Sequence, residues 1–198
     1  MNYDKNYYTN ANYANYLERE GRYKKLAEEV YQMLHSFNLI NKQSKILDYG
    51  CAVGHLLIGF LEIGCENVYG YDISPWAIEQ SKSKNLKVGP YEHYNIWDII
   101  IALDVLEHMS DEQIDDMFLT HTSNIILFRI PVAEPGETTF SLQISQQDPT
   151  HINCKTKNGW KKLLERYGYK TILTINGSTI YDSIGVFCGV GIKHKNDP

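Results

Sequence analysis

Residues 46–56 read ILDYGCAVGHL. An apolar, β-type run (Ile46, Leu47) meets an acid at Asp48. A loop of small residues follows, Gly50-Cys51-Ala52-Val53-Gly54, and then an apolar helical run from His55 to Ile63. A strand, a tight turn and a helix start are thus compressed into about ten residues, the arrangement with which an open α/β sheet builds a nucleotide site. Glycine permits positive φ and close approach of a ligand. The first turn of the new helix offers unpaired N–H groups.

The dinucleotide fingerprint Gly-x-Gly-x-x-Gly does not fit. Its three positions would fall on Gly50, Ala52 and His55. The spacing that fits is Asp48-x-Gly50-x-Ala52-x-Gly54. This resembles motif I of class I S-adenosylmethionine (SAM)-dependent methyltransferases, with alanine replacing the middle glycine. A second stretch, Asn67 to Ser74, reads as a strand followed by an acid, Asp72, about twenty residues beyond the glycine loop. An acid there can accept hydrogen bonds from both ribose hydroxyls. Ser74 and Pro75 then suit the N-cap and first position of a helix. A third stretch, residues 97–108, WDIIIALDVLEH, reads as a buried strand, an acidic loop and a histidine. It is similar to motif IV of many small-molecule methyltransferases. The three motifs stand in the family's order, and the resemblance covers Lys45 to Ile192.

The resemblance implies an α/β, Rossmann-like, doubly wound fold. Seven strands are expected, mostly parallel with a closing antiparallel strand, and helices on both faces. It also implies the cofactor SAM, with S-adenosylhomocysteine as product. The residues it assigns to the cofactor are Asp48, Gly50, Cys51, Ala52, Gly54, Asp72, Ile73, Leu103 and Asp104. Family members usually place an acid after the third strand, here expected at Asn85 to Val88, to hold the adenine amino group. Only Gly89 to Asn95 precede the fourth strand, so the crossover is short, and Glu92 is the nearest acid. The tyrosine-rich opening, with Tyr3, Tyr7 and Tyr8, resembles the aromatic lead-in that many of these enzymes fold over the cofactor. Tyr8 is assigned there, where its ring can face a sulfonium by a cation–π contact.

A chain of 198 residues is expected to be one domain. Residues 1–44 read as its helical, tyrosine-rich cap, residues 45–192 as the methyltransferase domain and residues 193–198 as a disordered tail. Apolar residues at Leu26, Val30, Met33, Leu34 and Phe37 mark a helix. Ser110 is a candidate N-cap for a helix running to about His121. Asn124 to Arg129 reads as the fifth strand, Ala133 to Gln147 as an irregular insertion, and Thr156 to Tyr167 as the last helix. Lys170–Ile175 and Ser183–Ile192 read as the closing antiparallel pair.

The formal net charge of −5 disfavours non-specific hold on a phosphate backbone. No apolar run reaches the length of a membrane span, and the first residues do not form a signal peptide. The four cysteines include no Cys-x-x-Cys pair. They read as reduced, in an intracellular, cytoplasmic protein.

Transfer from SAM is an in-line displacement on an already activated methyl group. The protein must align the partners and, for a hydroxyl or amine acceptor, handle a proton. Histidine suits that task. The candidates are His108, after motif IV, and His151, in the phrase Asp148-Pro149-Thr150-His151, which several methyltransferases of this type carry. Each histidine has the alternative of holding a loop. No metal is expected. The alternative is a carboxylate–imidazole site of Asp104, Glu107, His108 and His151, since acid-x-x-Glu-His resembles the metal motif of small-RNA 2′-O-methyltransferases. Those enzymes have a further histidine beside the second one, and His151 has no such neighbour. The acceptor expected is a small molecule or sugar. An RNA or protein acceptor, or a non-catalytic member binding SAM or a partner, are the alternatives. Oligomeric state is left open.

Overall fold

The computed structural model describes residues 3–9, 15–89 and 95–193. Glu92 and Tyr91, the expected adenine contacts, lie outside these residues, as does most of the tail. Contacts divide the chain into two compact units, Met1–Glu92 and His93–Pro198.

The first unit opens with a short 3₁₀ turn, Tyr16–Glu18, and helix α1, Glu20–Ser36. Leu26, Ala27, Val30, Tyr31 and Leu34 form the buried face of α1, one stripe at helical spacing. Burying each large side chain stabilises the fold by roughly 1.5–3 kcal/mol. The stripe packs on helix α2, His55–Ile63. The two helices approach closely where a Cβ at Gly59 would stand 2.6 Å from that of Ala27. Strands β1, Ile46–Tyr49, and β2, Val68–Tyr71, are parallel, in the register Asp48↔Gly70. Helix α3, Pro75–Ser83, follows, with the Ser74 hydroxyl accepting from the Ala77 N–H at 3.1 Å. The expected strand at Asn85 to Val88 is reduced to one parallel bridge, Gly70↔Val88. Asn85 ends α3 in a left-handed conformation (φ 59°), and only Val88 then pairs. Six strands, not seven, are therefore present among the described residues.

The second unit contains β3, Asn95–Leu103, and β4, His121–Pro131, which run parallel. Trp97 and Ile99 to Ala102 are all buried, the continuous apolar run of a strand covered on both faces. Helix α4, Asp111–Thr120, joins β3 to β4 and starts with a reciprocal capping box between Ser110 and Gln113. Strand β4 starts three residues earlier than its apolar pattern indicates. Ser123, which interrupts that pattern, is buried, and its hydroxyl is hydrogen-bonded to Tyr169 at 2.8 Å. The insertion holds one short helix, α5, Gln143–Gln146. Helix α6, Lys157–Arg166, is capped by Thr156. Strand β5, Thr171–Thr174, pairs antiparallel with β6, Val186–Ile192, which also pairs antiparallel with β4. The closing antiparallel pair and the α/β class are as expected. No helix among the described residues is long and apolar enough to cross a membrane. All four cysteines are free thiols.

Candidate active site

The glycine loop of the first unit is held by its own backbone. Gly50 and Cys51 donate their N–H groups to the Tyr71 carbonyl at 2.7 and 2.9 Å. Gly50, Ala52 and Gly54 all have positive φ (83°, 48° and 80°). Ala52 thus takes the left-handed conformation that the family's glycine would adopt without strain. The Ala52 carbonyl accepts from the Ser81 hydroxyl at 3.1 Å, and the Val53 carbonyl from Lys84 Nζ at 3.0 Å.

Asp72 closes this loop. Its Oδ2 accepts from the Ala52 N–H at 2.7 Å. Its Oδ1 accepts from the Ser74 N–H at 2.8 Å and from the Tyr8 hydroxyl at 3.4 Å. Burial raises the Asp72 pKa, and these hydrogen bonds oppose the rise. Asp48, fully buried in β1, is pushed up to about 8 by burial and by the charge of Asp72. Tyr8 is buried and stacked on Trp76 with ring centroids 5.4 Å apart, in a cluster with Tyr16, Ala52, Val53 and Ala77. The Ser74 hydroxyl also donates to the Tyr3 carbonyl. Ile73 is exposed and Cys51 is buried. His55, at the start of α2, is buried against the rings of Tyr16 and Tyr23, and burial lowers its pKa to about 4.

The second unit brings His108 and His151 together. Their ring centroids lie 4.6 Å apart, edge to face. The peptide N–H groups of Ile152 and Asn153 both donate to the Glu107 carbonyl at 2.9 Å. Asn153 Nδ2 donates to the Met109 carbonyl at 2.9 Å, so residues 107–109 and 151–153 form one braced corner. The Thr150 hydroxyl lies 2.5 Å from Asp148 Oδ1 and 2.7 Å from His108 Nδ1, and the Thr150 carbonyl lies 3.2 Å from the same nitrogen. A carboxylate and a carbonyl only accept. The network therefore assigns the Thr150 proton to Asp148 and a proton to His108 Nδ1, which leaves the lone pair of His108 on Nε2.

Burial lowers the pKa of His108 to about 4, with the neighbouring His151 adding to the shift. Burial lowers that of His151 too, opposed by Asp148. Burial would raise Asp148, yet the two bonds from Thr150 and the two histidines outweigh it and hold the carboxyl below its ordinary range. Burial pushes Glu107 far up.

Of the acids assigned to the cofactor, Asp104 has another partner. It follows β3 and adopts φ 55°, and Arg129 Nε meets its two carboxylate oxygens at 2.9 and 3.0 Å, with a further contact from the terminal guanidinium nitrogen. Leu103, before it, is half-buried. Sequence reasoning missed Arg129, Thr150 and Phe140, whose ring packs on His151 at 5.2 Å. Arg129 did leave a signal, as a charge at the end of an apolar strand. Phe140 left none.

Residues 18–174 match the model of a family described as a methyltransferase domain, and the chain belongs to that family. It thus carries a methyltransferase domain, as the three motifs indicate. Among curated proteins, it is 36% identical over 66 residues to the ribosomal protein L11 methyltransferase of Photorhabdus laumondii, covering 33% of this chain and 22% of that protein. It is 39% identical over 62 residues to the enzyme of the same name from Hamiltonella defensa, covering 31% and 20%. The chain spans about a fifth of the length of these relatives. Among solved structures, magnesium protoporphyrin IX methyltransferase from Synechocystis PCC 6803 with bound SAM superposes with TM-score 0.59 at 17% identity, covering 94% of this chain and 88% of that one. A SAM-dependent methyltransferase from Archaeoglobus fulgidus gives TM-score 0.59 at 17% identity, covering 90% and 99%. At these identities the likeness is one of fold.

Proposed function

We propose that the protein transfers the methyl group of SAM to an oxygen or nitrogen atom of a small-molecule or sugar acceptor. The observation that carries the cofactor half is Asp72. Its carboxylate is fixed by the Ala52 and Ser74 N–H groups at the mouth of the positive-φ loop. A carboxylate so held accepts a ribose diol, with each charge-assisted bond contributing roughly 1.5–3 kcal/mol. On binding, the Tyr8 hydroxyl would yield its place on Oδ1 to a ribose hydroxyl.

When bound, SAM supplies an electrophilic methyl group on a positive sulfur. The chain's own residues orient the partners and deal with the acceptor proton. His108 and His151 are the residues for that second task. They are adjacent and half-buried, and the tautomer of His108 is set by Thr150. A small or sugar acceptor agrees with the net charge of −5. A protein acceptor is the second reading, favoured by the local likeness to ribosomal protein L11 methyltransferases.

Calorimetric titration with SAM and S-adenosylhomocysteine, on the parent and on Asp72→Ala, tests the cofactor half. Micromolar binding that collapses in the variant supports it, and absence of binding by the parent removes it. A radiolabelled-methyl transfer screen across sugars, small hydroxyl and amine compounds and ribosomal proteins then separates the two acceptor readings.

A further inference from the structure

Three large apolar side chains are exposed around the histidine corner: Ile144 (55%), Ile152 (61%) and Ile184 (81%). They stand on three separate connections. Ile152 follows His151, and its N–H donates to the Glu107 carbonyl at 2.9 Å. Ile144 lies in α5, and its neighbour Ser145 has its backbone against the His151 ring. Ile184 precedes β6, whose Val186 pairs with Pro131 at the carboxyl end of β4. Gly185 fixes that turn on the insertion. Its carbonyl accepts from the Val132 N–H at 2.9 Å, its N–H donates to Glu134 Oε1 at 3.1 Å, and a Cβ on it would stand 2.9 Å from Leu142 Cγ. All three isoleucines thus belong to loops at the carboxyl ends of β3 and β4, where open α/β sheets bind their ligands. The buried ring of Phe140 packs against His151, edge to face, at 5.2 Å.

Isolated exposed apolar residues are ordinary, whereas several gathered beside a functional site mark an interaction surface. The charged groups that brace this corner are already taken. Asp148 holds Thr150, Glu134 holds Gly185, Asp182 pairs with Lys157, and Arg129 embraces Asp104. A sugar pressed against isoleucines would leave several of its hydroxyls unpaired, at a cost for each. We propose that the methyl acceptor is a phenol-type compound, held with its flat ring against Ile144, Ile152 and Ile184 and its hydroxyl at His108 and His151.

This acceptor class rests on the methyl-transfer reading and narrows it from small molecules and sugars to aromatic hydroxyls. Apolar walls with a few polar groups that fix orientation are the usual make-up of a small-molecule site. Burial keeps both imidazoles weak bases. A phenol, with a pKa of about 10 as in tyrosine, gives its proton to a weak base more readily than a sugar hydroxyl does. The phenol oxygen forms its bond to the methyl carbon of SAM as the carbon–sulfur bond breaks. That electron pair stays on sulfur to give S-adenosylhomocysteine, and the hydroxyl proton passes to an imidazole nitrogen.

The test uses the full chain in calorimetric titrations with phenol, β-naphthol and hydroxybiphenyl, and with methyl glucoside as the sugar comparison. One ring compound per chain is expected, bound more tightly than the glucoside. Ile152→Ser and Ile184→Ser change exposed side chains, so both are expected to fold as the parent does. Each should weaken β-naphthol binding roughly 5–20-fold. Leu119→Ser changes an equally exposed residue near the end of α4, beside the opposite end of β4, and should bind β-naphthol as the parent does. No binding of any ring compound by the parent, equal binding by parent and both isoleucine variants, or tighter binding of the glucoside than of β-naphthol overturns the acceptor class. SAM titrated into the same protein reports separately on the methyl-transfer reading. A chain that binds β-naphthol but not SAM keeps the ring site and loses methyl transfer.

Discussion

The Thr150 hydroxyl lies 2.7 Å from Nδ1 of His108 and determines which nitrogen of that ring keeps its lone pair. Thr150→Val removes this acceptor and also the hydroxyl donor to Asp148. A loss of roughly 1–3 kcal/mol in unfolding free energy is expected, the cost of buried polar groups left unpaired. Thr150→Ser restores most of it. Urea denaturation of the three proteins measures the effect. Equal stability of Thr150→Val and the parent would show that the hydroxyl bridges nothing of consequence.

Gly54 sits at φ 80°, and a Cβ there would collide with the side chain of Leu86. Gly54→Ala therefore carries both a left-handed penalty of about 1–2 kcal/mol and a displaced core leucine. A melting temperature lowered by several degrees is expected, together with weaker SAM binding, since the loop cannot hold its conformation. A variant with unchanged melting and binding would show that the loop does not hold the cofactor.

Tyr8 is almost wholly buried, and only its hydroxyl reaches Asp72. Tyr8→Ala should cost about 3 kcal/mol through the lost ring. Tyr8→Phe should stay within about 1 kcal/mol of the parent and bind SAM at least as tightly, because the displaced hydroxyl no longer competes for Oδ1. Weaker binding by Tyr8→Phe would instead make the hydroxyl a direct cofactor contact.

His55 and His108 have pKa values lowered to about 4 in the folded chain. The unfolded chain takes up these protons first as pH falls below about 6.5. Stability is therefore highest above that value and is lost progressively towards pH 4. Each histidine contributes at most about 3.4 kcal/mol, and His108, which is partly exposed, less than that. Denaturation midpoints measured from pH 7.5 to 4.5 should fall, and the slope should flatten in His55→Gln. A slope unaffected by that replacement would place the effect elsewhere.

Helix α2 was legible to the residue, because a positive-φ glycine bounds it on each side, Gly54 and Gly64. The capping serines Ser74 and Ser110 were legible for a similarly local reason, since each bonds a backbone N–H three residues on. Strand β4 was read short because Ser123 looks solvent-facing in one dimension. Its partner, Tyr169, is 46 residues away. The third strand was read too generously, as an apolar residue at Val88 does not by itself create a pairing partner.

The sequence alone determined the class of the fold and the chemistry of its glycine loop. These depend on local rules: which residues tolerate positive φ, which cap a helix, and which apolar runs must be covered. It also named His108 and His151 one by one. Only the tertiary structure decided what they do together. It placed two histidines 43 positions apart edge to face, buried the Glu107 carboxylate close to His151 with neither of its oxygens hydrogen-bonded, and took Asp104 out of the group by closing Arg129 on it. Pairings of that kind depend on how strands and loops are brought together across the chain, and no local spacing encodes them.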